Sequence, residues 1–559
     1  LLTRDIALLN QGAFDVVVIG GGIFGACAAR EAALAGLSVA LIEQKDFSHA
    51  TSANHFKMVH CGIRYLQHLD IKRLWESSYE RSALLRIAPH LVQTVPIVIP
   101  TYGVGSQGKP FLGVGMLTYD LLTIRRNEKI LPDKRIAPTQ FFSRSKLLSF
   151  FPGLNKAGLT GGMVFDEGQM YNLPRLALAF IHSAAERGAV VANYVRATDF
   201  LTSNGKIIGV KSVDETTGES FEVQSRYVLN TAGPWAHRLL NTDKSIALKP
   251  VPTFSRDLAF TLPRRFDHRY GVALPSETRD ADVLADRGGR HLFAVPWRTC
   301  TLIGVWHKVF EGPPEEVNVE PEELEQFRRE VAHAYPGLCD DLDQIQVINT
   351  GLTLFGDAHD QRQRGLSFGK RSMLVDHKAV HGRAGLVTLI GVRATTARGM
   401  ASKAIGLILR KLNKPFTSKK ASAYQPVWGG GVASFSQINE EIQAFDPVRL
   451  STQVVRSLAH NYGSKTDKIL GYVRQNRNWA MPLQGSTTLP AEVVHSVREE
   501  MALTLGDVVF RRTDLGTGGK PTKAALTICA DIMATELGWS KTKMEHELEL
   551  VNQSYPRLG

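Results

Sequence analysis

The chain has 559 residues, of which 43% are hydrophobic and 21% charged, and a formal net charge of +12. That length exceeds one hydrophobic core and predicts two or three domains of soluble, globular composition, with neither a membrane span nor a secretory leader expected. Five cysteines (Cys27, Cys61, Cys300, Cys339, Cys529) show no C-x-x-C or metal-ligand spacing, so they read as reduced thiols of a cytosolic protein, and no metal site is expected. The positive balance suits phosphates, an acidic substrate or an anionic membrane face. Nucleic acid is disfavoured, because the basic residues are dispersed and no aromatic-basic stripe accompanies them.

The first predicted strand is Val16–Ile19, followed by Gly20, Gly22 and Gly25 as G-x-G-x-x-G and by a helix lined with Ala26, Ala29 and Ala33. The first glycine permits the tight turn, the second admits a pyrophosphate to the backbone, and the third lets helix and strand pack closely. The opening N–H groups of the helix hold phosphate charge. Glu43 ends the second strand, where a carboxylate accepts hydrogen bonds from the ribose hydroxyls of an adenosine. Strand, turn, helix, strand and acid together predict dinucleotide binding.

Further along, Lys206–Val223 alternates like a hairpin or meander and leads into a strand at Tyr227–Gly233 (YVLNTAG). Another strand, Gly385–Gly391 (GLVTLIG), runs into a helix from about Thr395 to Leu412, so a parallel sheet is assembled from distant segments. Between them, Leu258–Leu262, His291–Trp297 and Thr301–Trp306 read as strands of an antiparallel second sheet, and Glu320–Tyr335 as a charged helix. Thr417–Ser436, rich in Ser, Lys and Gly, reads as a linker. Beyond it, Val493, Val497, Met501, Leu505 and Val508 recur at helical spacing, as do the apolar residues of Ala524–Leu537, which predicts a small helical domain.

These segments resemble the flavin-dependent glycerol-3-phosphate dehydrogenases, within the fold group that includes D-amino acid oxidase. The resemblance rests on Asp15–Gly25, Asp46–Leu66 (DFSHATSANHFKMVHCGIRYL), Asn230–Trp235 (NTAGPW), Phe293–Gly304, Arg393–Arg398 (RATTAR), Arg498–Leu505 (REEMALTL) and Arg511–Gly516 (RRTDLG). It implies an α/β fold: a discontinuous Rossmann-like FAD-binding domain, an α+β antiparallel-sheet substrate cap and a C-terminal helical domain. The expected boundaries are 1–98, 163–242 and 375–416 for the FAD domain, 99–162 and 243–374 for the cap, 417–436 for the linker and 437–559 for the helical domain.

The implied cofactor is FAD, bound without a covalent link. Its expected contacts begin with Gly20, Gly22, Ile23, Phe24 and Gly25, then Glu43 and Gln44. The polar loop Lys45–Ser52 crosses the cofactor and brings Thr51 and Ser52, with Lys57 beyond. Thr231, Ala232, Gly233 and Trp235 follow, and Gly391, Thr395 and Thr396 place a positive helix end against the flavin's pyrimidine oxygen. That end stabilises the anionic reduced flavin.

An alcohol substrate needs a base for its hydroxyl proton, and neutral histidine suits this near pH 7. His60, in His60-Cys61-Gly62-Ile63-Arg64-Tyr65, is the first candidate and His307 the second. Arg64, Tyr65, Arg256 and Arg393 are expected to hold an anionic substrate. The family's Ser-Gly-Val-Arg-Pro-Leu element corresponds to Thr350–Phe355, where Thr353 replaces the substrate-facing arginine, and Arg256 and Arg393 replace family lysines. Arginine presents a planar fork where lysine presents a point charge, so the pocket is basic but rearranged. His55 stands one residue from the place where related amine-oxidising flavoenzymes attach FAD, which makes a histidyl link the alternative.

The leading expectation is hydride transfer from a small anionic, phosphorylated secondary alcohol to FAD, with quinone or oxygen as acceptor. Amine or amino-acid oxidation is the second reading and a non-catalytic flavoprotein used for assembly the third. Pro110–Ile124, followed by Arg125 and Arg126, is apolar with a basic edge: a core helix of the cap, or a peripheral anchor on the inner face of a membrane. A homodimer is the remaining partner expectation.

Overall fold

The computed structural model describes the chain except residues 64, 66–69, 104–107, 250, 280–288, 357–371, 416–418, 446–449 and 557–559. Among the described residues, eight strands form a first sheet. Ala13–Ile19 lies between Ser220–Asn230 and Val39–Ile42, and Leu386–Ile390 and Val190–Ala192 extend it on either side, all parallel. The run Val16–Val18 is fully buried because long helices cover one face of the sheet, and the strands Val195–Ser203 and Lys206–Asp214 with two short helices cover the other. Ala26, Ala29 and Ala33 on helix Ile23–Leu34 are small enough for helices Leu173–Ala185 and Ala397–Lys411 to close on it. The Lys206–Asp214 strand and Ser220–Asn230 form the expected meander, with Val195–Ser203 beside them.

The second sheet carries the cap and is antiparallel apart from one internal pairing, that of Gly271–Arg279 with Val92–Tyr102. Thr253–Pro263 sits between Val347–Gly356 and Cys300–Phe310, and Gly289–Trp297, Gly271–Arg279, Val92–Tyr102 and Leu159–Met170 follow in order. The short strand Met58–Val59 closes the row. Two expected boundaries need correction, since those at 98/99 and 162/163 cut through Val92–Tyr102 and Leu159–Met170. Both strands belong to the cap sheet over their whole length.

The stretch read as a linker is packed instead. Val427 and Trp428 are buried, the Val427 N–H donates to the Ile87 carbonyl, and Trp428 stacks on His182 at 4.4 Å. The helical spacing from Val493 to Val508 is likewise interrupted. Helix Pro490–Glu500 ends at Met501, whose φ of +56° is left-handed, and Val508–Arg512 then forms a separate π-type turn. Helix Lys109–Leu122 buries Met116 and Tyr119 in the cap and leaves Val114, Leu117 and Leu121 open.

Candidate active site

The glycine turn shows why its residues are glycines. Gly20 holds φ at +98°, and a Cβ there would lie 2.8 Å from the Thr231 carbonyl oxygen. A Cβ on Gly25 would lie 1.8 Å from the Gly20 oxygen. At the opening of helix Ile23–Leu34, the Ile23 N–H donates to Ser52 Oγ at 2.9 Å, so the loop after the second strand meets the positive helix end. Glu43 accepts from the Gly21 N–H at 2.7 Å and the Lys45 N–H at 2.9 Å. Desolvation by burial raises its carboxyl above the ordinary value against these bonds.

A cleft of about 420 Å³ opens along this turn. Gly20, Gly22, Ile23, Phe24, Glu43, Gln44, Thr51, Ser52, Thr231, Ala232, Gly233, Trp235, Gly391 and Thr395 line it, and so do His55, His60, Thr353 and Arg393. Chain segments as far apart as Gly20 and Thr395 therefore form one surface. The Arg393 side chain runs over Tyr65, 5.0 Å from the ring centroid, and donates to Ser77 Oγ at 3.3 Å. Its Nε is buried without an acceptor among the described residues. His60 donates its backbone N–H to Thr395 Oγ1 at 3.2 Å and keeps its side chain 41% exposed. His55 Nδ1 accepts the Lys57 N–H at 2.9 Å, and burial holds its ring well below the usual histidine range, hence neutral.

Several expected residues are placed elsewhere. Gly25 packs under the turn. Lys57 turns away from the cleft, its ammonium donating to the Ala53 carbonyl and Asn349 Oδ1, and burial brings its pKa down to about 7. Thr396 faces inward and donates to the Arg393 carbonyl. Arg256 lies on the opposite side of its strand from Asp257 and is tied to Glu323 and the Asn318 carbonyl, so it does not reach the cleft. Tyr65 lies behind Arg393, carrying Arg73 as well at 4.8 Å. His307 stands 3.9 Å from Asp257 Oδ1, which separates it from the cleft lining. Arg64 lies outside the described residues.

Residues that sequence reasoning passed over also line the cleft. Asp257 is one, accepting from Thr353 Oγ1 at 2.8 Å. Strand alternation carries the signal for it: once Arg256 faces the cap, its neighbour faces the cleft. Ser48 and His49 are others, on the loop whose crossing was expected.

A glycine cradle, an acid closing the second strand and a positive helix end at Thr395 fit an adenine dinucleotide carrying a flavin. Fold and cleft thus define a flavin-dependent oxidoreductase with a discontinuous nucleotide domain, a cap sheet and a helical tail. The chain belongs to the FAD dependent oxidoreductase family, which matches residues 15–386, and its cofactor is FAD. Residues 422–544 match the C-terminal domain of alpha-glycerophosphate oxidase. An aerobic glycerol-3-phosphate dehydrogenase of Staphylococcus haemolyticus is 27% identical over 527 residues, covering 92% of this chain and 89% of its own. A glycerol-3-phosphate dehydrogenase of Synechocystis is 27% identical over 557 residues, covering 98% and 97%. In structure, the FAD-complexed glycerol-3-phosphate dehydrogenase of Bacillus halodurans shares the fold, with a TM-score of 0.74, 22% identity and coverage of 98% of this chain and 96% of its own.

Proposed function

We propose that the enzyme oxidises a small phosphorylated secondary alcohol, of which glycerol 3-phosphate is the simplest, to the ketone. The observation that carries this is the pairing, in one cleft, of an open imidazole at His60 with a guanidinium at Arg393 that has no carboxylate partner among the described residues. Arg393 holds the anion by its planar fork. His60 takes the hydroxyl proton, a transfer worth roughly 10²–10⁴-fold in rate. Bound FAD supplies the acceptor for the hydride equivalent. Re-oxidation by a quinone or oxygen completes the turnover.

The similarity of both glycerol-3-phosphate dehydrogenases over nearly the whole chain, helical tail included, supports this substrate class over amine oxidation. Anaerobic mixing with glycerol 3-phosphate tests it: the visible absorbance of the oxidised flavin is expected to bleach within seconds. Bleaching by amines and not by the phosphate would replace the reading with the amine one. FAD is held non-covalently, so acid precipitation is expected to leave the yellow colour in the supernatant; colour in the pellet would point to His55.

No helix among the described residues is long and apolar enough to cross a membrane. The exposed Val114, Leu117, Leu121 and Ile124, next to Arg125 and Arg126, support peripheral attachment to anionic lipid.

A further inference from the structure

The short strand Met58–Val59 pairs antiparallel with Leu159–Met170, Met58 opposite Gln169 and Val59 opposite Gly168. One step further along that register, His60 arrives opposite Glu167. The approach needs the glycine between them, since a Cβ on Gly168 would lie 2.8 Å from Val59 Cβ. Glu167 is buried behind the cleft, and its Oε2 accepts the Cys61 N–H at 2.6 Å. Its Oε1 accepts the Cys61 thiol at 3.4 Å and stands 3.6 Å from His60 Nδ1. Burial, reinforced by the Glu167 charge, pushes the Cys61 thiol up to about 12, so it remains a donor to that carboxylate.

The other groups around His60 do not duplicate this contact. Arg393 lines the same cleft from the segment after Leu386–Ile390, and Thr395 there takes only the backbone N–H. His55, on the same loop, is buried and neutral. Phe293 lies 6.5 Å away by ring centroids. Beneath Glu167, Arg81 donates to the Asp166 carbonyl and to Tyr119, which leaves the facing oxygen of Glu167 to Cys61 and His60.

We propose that Glu167 is the positioning residue of His60, orienting the ring with Nδ1–H toward the carboxylate and the Nε2 lone pair in the cleft, and stabilising the imidazolium that forms there. The role of His60 as base rests on the function proposed above; the brace itself does not. In the reaction, the alcohol O–H breaks and its proton goes to Nε2, while the O–H electron pair becomes the carbonyl π bond. The C–H bond breaks and its hydrogen leaves with both electrons as hydride, for which bound FAD would be the acceptor. The imidazolium is then paired with Glu167 through Nδ1 and returns its proton to water after product leaves.

E167Q keeps the side-chain shape and one acceptor oxygen for the Cys61 N–H, and replaces the charged oxygen facing the Cys61 thiol and His60 with an amide NH2 that accepts from neither. In oxidised holoenzyme, NMR titration of labelled histidine, with H60N to identify the ring, reads His60 without substrate. The His60 midpoint is expected to fall in E167Q, because the imidazolium loses the opposite charge beside it, and to return toward wild type in E167D. In anaerobic reduction by glycerol 3-phosphate, the limiting rate is expected to fall about tenfold or more with half-saturation unchanged, the pattern of an interaction made in the transition state. An unshifted ring titration overturns the brace, and a shifted titration with an unchanged limiting rate overturns its part in turnover. If E167Q loses its flavin, E167N takes its place with the same two readouts, and wild-type values there overturn the proposal. If wild-type flavin does not bleach with glycerol 3-phosphate, the substrate reading fails while the titration still decides the brace.

Discussion

At single residues, space and charge decide the outcome. Gly25 has no tolerance for a side chain, because an added Cβ would enter the Gly20 carbonyl at 1.8 Å and crowd Thr231 Oγ1 at 2.8 Å, both in the wall that faces the cofactor. G25A is therefore expected to be isolated colourless or nearly so, read from the ratio of flavin to protein absorbance. Retention of full flavin would show that the turn can shift. Arg393 tests the anion site. R393A is expected to raise half-saturation by glycerol 3-phosphate at least about tenfold, and R393K to recover part of it, since lysine supplies charge without the fork. Unchanged half-saturation in R393A would move the anion elsewhere in the cleft. The glycine turn and Glu43 were legible in the sequence because the strand, turn, helix and second strand that define them fall within one short stretch, Phe14–Glu43. Glu167 was not, because only the pairing of two strands more than a hundred residues apart brings it to His60.

At the scale of elements, the loop that lines the cofactor cleft is held by the helical tail. Asp46 is fully buried, and Arg512 grips it through both of its oxygens at 2.7 Å while Arg511 adds a bond at 2.6 Å. Against the cost of burial, the two guanidinium groups hold the Asp46 carboxyl down at about 2. Arg511 and Arg512 come from the π-type turn Val508–Arg512, and Asp46 opens the stretch carrying His49, Thr51 and Ser52 into the cleft. Removing one partner of a buried pair costs about 3–5 kcal/mol. R512A is expected to lower the melting temperature and to weaken FAD binding at least about tenfold, measured by release of flavin fluorescence on dilution. Undiminished affinity in a folded R512A would mean that the loop holds its shape unaided. The open face of helix Lys109–Leu122 gives a second test. Wild type is expected to float with anionic liposomes at low salt and L117E/L121E to stay behind; equal flotation would remove this helix from the contact.

Across the whole molecule, the order of strands and the helical nature of the tail follow from periodicity, while the seams between domains do not. Trp428 and Val427 sit in a stretch that composition marks as a linker, and they are buried because helix Leu173–Ala185 offers His182 for stacking and the Ser183 hydroxyl accepts the Trp428 N–H. That seam carries a pH dependence. Burial brings His182 down to about 4 and His460, stacked on Tyr171, down to about 3, and it holds His90 well below the usual range. In the unfolded chain these rings bind protons near 6.5, so between there and about 4 the unfolded state binds more protons than the native one. Their contribution is complete above that ordinary value and is lost as pH falls, at about 1.4 kcal/mol per pH unit for each ring. Glu492 opposes them: burial raises it to about 8, so its native proton favours folding as pH drops from there toward the ordinary carboxyl value. His49, His55 and His377, buried neutral elsewhere in the molecule, act in the same sense, so the imidazoles outweigh this carboxyl and stability falls below pH 6.5. Denaturant unfolding at pH 7.5, 6.5 and 5.5 is expected to show stability falling most steeply over the last interval, and H182Q to flatten that fall by one proton. A curve without that fall would mean that the seam opens and hydrates its histidines in the native state.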